Sequence, residues 1–146
     1  MVSLIVLILL LSACSGNEKI RFEDKSFAST LMIQKVENST SSEEMTTIVT
    51  DQEKIKNILT MIEDLEVKNI KVNTFMETLT SKTSYMFVFF EEGRSAEKAE
   101  FAFYILEDGT ILFNSQESRN PGKPLIGKEK QLDILNEMKQ TLEIDF

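Results

Sequence analysis

The chain has 146 residues, of which 42% are apolar and 27% charged; its net charge is −8 and it contains no histidine. That length fits one domain and excludes a barrel enzyme of ~250 residues or a two-domain dinucleotide-binding enzyme, while the apolar fraction excludes a disordered chain. The acidic balance excludes nucleic acid as a partner, because a phosphate backbone needs a basic face, and the missing histidine removes the commonest general base and transition-metal ligand.

The chain opens on a run with no charged side chain over residues 1–13, in which nine of the first eleven residues are Val, Ile or Leu. It ends in Leu11-Ser12-Ala13-Cys14 followed by Ser15-Gly16-Asn17. An apolar stretch closed by small residues is a secretory signal and not part of the fold, and it is shorter than the ~20 apolar residues a membrane span needs. Leu at −3, a small residue at −1 and Cys at +1 form a lipobox, and in this the sequence resembles bacterial lipoproteins. The resemblance implies a diacylglyceryl group on the sulfur of Cys14 and cleavage before it. The usual Lys or Arg ahead of the apolar run is missing, which leaves room for a basic stretch upstream of Met1. The mature chain keeps the whole charge of −8, and with its only cysteine acylated it must hold together without a disulfide.

Three segments follow: a signal peptide over 1–13, a lipidated Cys14 and polar tether over 14–25, and a single globular domain over 26–146. Ser26 to Val36 predicts a strand, with Phe27, Ser29, Leu31, Ile33 and Lys35 on one side and Met32, Gln34 and Val36 on the other. Glu37 to Glu44 is a turn cluster, and Met45 to Val49 predicts the partner strand of a hairpin. Thr50-Asp51-Gln52-Glu53 matches a capping box with Thr50 as the cap. The helix behind it shows one stripe, Ile55, Ile58, Leu59, Ile62 and Leu65, and should end near Glu66. Val67 to Val72 fits a short strand. Asn73 to Lys82 fits either one helical turn or a covering loop.

The most apolar part of the mature chain comes next: Tyr85 to Phe90, then Ala99 to Leu106, then Thr110 to Phe113. A two-residue turn at Asp108-Gly109 would put Phe101, Phe103 and Ile105 beside Leu112 and Asn114. A three-residue loop, Glu107-Asp108-Gly109, with Gly109 left-handed, pairs Leu106 with Thr110 and gathers Phe101, Phe103, Ile105, Ile111 and Phe113 on one face. The second register makes a continuous aromatic-aliphatic face that a one-residue slip would destroy, and it is the register predicted. Ser115 to Gly127 holds both prolines, Arg119 and Lys123 and reads as a long irregular loop, of the kind that is uncommon unless functional. Lys128 to Leu142 predicts a second amphipathic helix with Leu132, Leu135, Met138 and Leu142 inward, and with Ile144 and Phe146 tucking its end down.

The predicted fold is therefore α+β: an antiparallel sheet of about five strands with two amphipathic helices packed on one face. This order of pieces, with the strand–turn–strand run around Ile105 to Leu112 and a final helix, resembles small lipoproteins of Gram-positive bacteria that carry a YhfM-like domain of unknown function. The resemblance spans most of the mature chain and implies no activity.

Catalytic constellations are scarce. Ser95-Ala96-Glu97-Lys98 matches the Ser-x-x-Lys nucleophile motif of serine β-lactamases and penicillin-binding proteins, and Lys82-Thr83-Ser84 approaches their Lys-Thr-Gly. The order is reversed, Ser-Asp-Asn is absent and the chain is too short for that fold, so the match reads as chance. Carboxylate pairs occur at Glu43/Glu44, Glu63/Asp64, Glu91/Glu92 and Glu107/Asp108. A glycosidase needs two carboxyls about 5–10 Å apart across a cleft, whereas neighbours on a strand point apart and neighbours in a turn are solvated. No run has the spacing of a calcium loop.

Two features could bind something: the Ser115–Gly127 loop, with Arg119, Lys123 and two prolines, and the outer side of the sheet. The far side of the meander carries Met86, Val88, Phe90, Ala102, Tyr104 and Leu112, where a sheet covered on one face should be polar. Either Asn73–Lys82 or the amino-terminal arm covers it, or Met86, Val88, Phe90, Tyr104 and Leu112 form a partner-binding face. The sequence thus predicts no catalytic residue, no metal and no cofactor. It predicts a non-enzymatic binding or support module of the cell envelope, anchored in the membrane through Cys14 on the extracytoplasmic face, with an envelope protein as candidate partner. The rivals are a small cell-wall hydrolase working through carboxylates and a small-ligand carrier. The carrier needs a cavity of ~300–1,000 Å³, which a two-layer domain of this size rarely offers.

Overall fold

The computed structural model describes residues 18–95, 98–114 and 123–146. Along the chain it comprises β1 (Glu18–Lys19), β2 (Thr30–Val36), β3 (Thr46–Val49), α1 (Gln52–Ile62), β4 (Glu66–Asn69), α2 (Val72–Thr80), β5 (Ser84–Phe90), β6 (Phe101–Leu106), β7 (Ile111–Phe113), β8 (Leu125–Gly127) and α3 (Leu132–Leu142). The eight strands form one open antiparallel sheet in the order β1-β4-β8-β7-β6-β5-β2-β3.

The fold is α+β, as the pattern predicts, but the counts differ from about five strands and two helices. β8 lies inside the stretch read as irregular loop, and β1 lies inside the stretch read as tether. At three and two residues they are too short for a period of two to show. The ambiguous Asn73–Lys82 segment is largely helix α2. It packs on the opposite face of the sheet from α1 and α3, the two predicted helices, which share one face as expected. Ser115–Gly122 and residues 1–17 lie outside the described residues.

The register through the meander is the predicted one. Phe103 stands opposite Phe113 and Ile105 opposite Ile111, and across β5 Phe87 stands opposite Phe103. The loop is built as its residues demand. Gly109 has φ +84°, its N–H donates to the Leu106 carbonyl at 2.9 Å, and the Leu106 N–H donates to the Thr110 carbonyl at 2.8 Å. A Cβ on Gly109 would lie 2.8 Å from the Leu132 backbone nitrogen, so α3 starts directly on this turn. The Gln131 N–H donates to the Gly109 carbonyl at 2.8 Å, and Asp108 accepts from the Thr110 N–H at 3.0 Å and from Lys130 Nζ at 2.8 Å.

The inner face so created is the core. Phe87, Phe89, Phe103, Ile105 and Ile111 are fully buried there with Leu31 and Ile33 of β2, and the Phe87 and Phe103 rings stack at 4.7 Å. Ile55, Ile58, Leu59 and Ile62 of α1 and Ile134, Leu135, Met138 and Leu142 of α3 close it. Several local details depart from expectation. The cap of α1 is Asp51, which accepts from the Glu53 and Lys54 N–H groups, and not Thr50. The α1 helix stops at Ile62 because Asp64 turns left-handed, at φ 67°. In α3, Leu132 is 64% exposed and Ile134 takes its place inside, because the helix starts only at Leu132.

β1 and β2 are separated in the sheet by five strands. At ~4.8 Å per strand the linking residues 20–29 must cross ~29 Å, close to their extended reach. They run as an arm across the inner face, with one turn at Lys25–Ser26. Ion pairs Arg21–Asp64 and Lys25–Glu63 hold it to the end of α1. Phe22 meets Phe101 edge-on at 5.3 Å, and Phe27 lies 6.4 Å from Phe89.

Phe103→Ala should cost ~3–5 kcal/mol, and Tyr104→Ala on the other face clearly less; chemical unfolding of both variants checks the assignment of the faces. Gly109→Ala should cost at least ~1–2 kcal/mol for the left-handed backbone alone, measured the same way.

Asp108 gives a pH signature. Its partial burial pushes the carboxyl upward, but the hydrogen bonds from Lys130 and Thr110 outweigh that and hold it down at about 2. A carboxyl lowered in the folded state adds stability above its ordinary range, lost as pH falls towards the folded value. Urea unfolding should therefore show the stability advantage of the wild type over Asp108→Asn shrinking from about pH 4 down to pH 2.

Candidate functional site

The register places the predicted outer-face residues in two rows. Met32, Val88 and Ala102 stand in one; Gln34, Met86, Tyr104, Leu112 and Ile126 stand in the next. Helix α2 divides them. Its Phe75 packs with Leu106 and Leu112, with Tyr104, Ile126, Ile70 and Leu79 around it. Leu112 is therefore fully buried, and Tyr104 is half-buried with its ring edge-on to Phe75 at 6.0 Å. Burial pushes the Tyr104 phenol up. Met86, Val88 and Phe90 lie outside that cluster. Val88 is 4% exposed, Met86 and Phe90 are half-buried, and Ile48 of the neighbouring edge strand is 54% exposed. The Asn73–Lys82 segment thus covers part of the face, and the β5–β2–β3 part remains apolar beyond it.

A second site was not visible in the sequence. Where the arm crosses the ends of β6, β7 and β8 it leaves a cleft of about 900 Å³. Its floor is apolar: Ile20, Phe22 and Phe27 from the arm, and Phe101, Phe113 and Leu125 from the sheet. Its rim is charged, with Glu18, Glu23, Asp24 and Glu100 against Lys19 and Arg21. Arg21 is held 2.6 Å from Asp64 and Glu100 3.3 Å from Arg94. These residues come from four separate stretches of chain that only the arm and the antiparallel meander bring together. The one local signal was Ile20, Phe22 and Phe27 inside an otherwise polar segment, where a solvated tether has no use for them.

The other sequence candidates stay apart. Ser84 begins β5 and Ser95 follows its far end, so the two halves of the β-lactamase-like pattern are ~20 Å apart along a seven-residue strand. Ala96 and Glu97 of that pattern lie outside the described residues. In the Glu63/Asp64 pair the two carboxylates turn to separate cations, Glu63 to Lys25 and Asp64 to Arg21. Hydrogen bonds from Lys54 hold the Glu143 carboxyl below its usual range, as Lys130 and Thr110 do for Asp108. Both shifts run opposite to what a general acid at neutral pH requires. Among the described residues no three acidic or cysteine side chains gather to hold a metal ion, and no helix is long and apolar enough to cross a membrane.

Comparison with protein-family models, with curated proteins and with solved structures finds no match to this chain.

Phe75 is the side chain that seats α2. Phe75→Ala should cost ~3 kcal/mol and uncover Tyr104, seen as a downward shift of one tyrosine titration towards its ordinary value together with increased binding of an apolar dye.

Proposed function

We propose that this protein is a lipid-anchored, extracytoplasmic lipoprotein whose domain is a non-enzymatic binding module of the cell envelope. The observation that carries the reading is Leu11-Ser12-Ala13-Cys14 at the end of a charge-free apolar run. Two acyl chains on Cys14, at ~0.8 kcal/mol per buried CH₂, make a durable anchor. Only three residues separate Cys14 from Glu18, the first residue of β1, so the anchor reaches at most ~14 Å from the sheet. The domain would then be held on the bilayer surface and not on a long leash.

Two surfaces support a binding role. The outer-face group Met86, Val88, Phe90, Tyr104 and Leu112 is the candidate for an envelope-protein partner, with contact falling to Met86 and Phe90, since Val88 is buried and α2 covers Leu112 and part of Tyr104. The small-ligand carrier reading is favoured by the cleft, whose volume of about 900 Å³ lies within the range of ligand cavities.

Metabolic labelling with a radioactive fatty acid tests the anchor. The wild type should take up label and sediment with membranes, and Cys14→Ser should take up none and remain uncleaved or be released, with an unchanged circular dichroism spectrum. Equal label in both would contradict the reading. A soluble-substrate hydrolase panel tests the non-enzymatic part: turnover abolished by a single carboxylate substitution would replace it with the hydrolase.

A further inference from the structure

We propose that the cleft under the arm takes one acyl chain of a bilayer lipid with an uncharged or zwitterionic head. The inference deepens the binding-module reading and rests on it for the membrane's nearness. The floor carries no charged group: Ile20, Phe22 and Phe27 are part-exposed there, over Phe101, Phe113 and Leu125, which are buried beneath them. Such a surface recognises a flexible hydrocarbon through area removed from water and makes no demand on direction. The volume of about 900 Å³ has room for a long chain. Above this floor the rim carries four acids against two bases, Lys19 and Arg21, on a chain whose net charge is −8. An anionic head at that rim meets like charge, whereas a zwitterionic one does not.

Position chooses the source. Glu18 lies on the rim, and Cys14 is four residues before it, so an acylated Cys14 holds the mouth of the cleft within ~14 Å of the lipid headgroups. A bilayer lipid is then present at very high effective concentration, and a weak site fills. The arm itself stays in place: Ile20 exchanges backbone hydrogen bonds with Asp64 and Leu65, Ala28 is buried in the core, and the ion pairs Arg21–Asp64 and Lys25–Glu63 join the arm to the turn after α1, so a chain enters by the open mouth of the cleft.

The chain contains no tryptophan, so a single introduced one reports on the cleft. The full-length protein carrying Phe27→Trp is placed in phosphatidylcholine vesicles brominated midway along the acyl chains, and separately titrated with monomeric brominated lysophosphatidylcholine. Ile48→Trp, on the opposite face, is the control, and Phe22→Trp repeats the measurement should Phe27→Trp fold poorly. The expected result is saturable loss of most of the Phe27→Trp emission in both formats, none for Ile48→Trp, and several-fold weaker binding of the matching lysophosphatidylglycerol, a difference that added salt reduces. Loss of emission in neither format overturns the proposal, as does equal loss at Ile48→Trp. Loss only when Cys14→Ser is combined with Phe27→Trp also overturns it, assigning the cleft to the protein's own anchor chain. The vesicle flotation that accompanies the experiment reads the anchor separately: protein that fails to float contradicts the lipoprotein reading, while the lysolipid titration still decides the cleft.

Discussion

The three-residue loop Glu107-Asp108-Gly109 sets the register on which the rest of the molecule depends. Side chains alternate along a strand, so a shift of one residue in the β6–β7 pairing would carry Ile111 and Phe113 out of the core and put Leu112 in. The loop prevents the slip by two means. Gly109 takes a left-handed backbone, at φ +84°, that other residues adopt only with strain. The first residues of α3 then press against it, with Asp108 tied to both Thr110 and Lys130. The same short stretch therefore fixes the strand pairing and the starting point of the last helix. Phe113 is thereby brought against Phe103, itself stacked on Phe87, and the helices have a face to close.

The geometry of the sheet then creates the cleft as a by-product of topology. β1 joins β4 at one edge while β2 lies next to the other edge, and the connecting arm has barely enough residues to cross. The arm bends at Lys25–Ser26 and does not fill the space between itself and the strand ends. It crosses on Phe22 and Phe27, which reach down to Phe101 and Phe89, and the space between is left open and apolar. Helix α2 plays the opposite part on the outer face, where Phe75 fills what would otherwise be a similar hollow over Leu112 and Tyr104. The outer face of the domain is thus sealed at α2, while the inner face, closed by α1 and α3, is left open at the cleft.

The features legible in the sequence were those with long, strong periodicity or specific turn chemistry. The β2–β3 hairpin, the α1 stripe, the aromatic meander and its bulged turn all follow from alternation, helical spacing and one glycine. What stayed hidden was short or non-local. β8 has three residues and follows Pro124, and β1 has two; they exist because β4 and β7 offer open edges, which no local pattern records. Leu132 looked like core by spacing and is exposed because the helix begins there. The outer-face residues were readable as a group, yet only tertiary packing decides that Leu112 is sealed and Met86 is not. The cleft was least legible, since Phe22, Phe113 and Leu125 are neighbours in space alone.

The central claim is that the anchor and the cleft lie at the same end of the sheet, against the membrane. Glu92 follows the end of β5 beside the cleft, and Ser39 lies beyond the opposite end, in the turn after β2. Nitroxide labels at Glu92→Cys and Ser39→Cys, in anchored protein whose own cysteine is acylated, measure the height of each end by their exposure to a lipid-soluble relaxing agent. The account predicts that the label at position 92 sits nearer the bilayer by about the length of β2, ~20 Å. Equal heights, or position 39 nearer the bilayer, would contradict it.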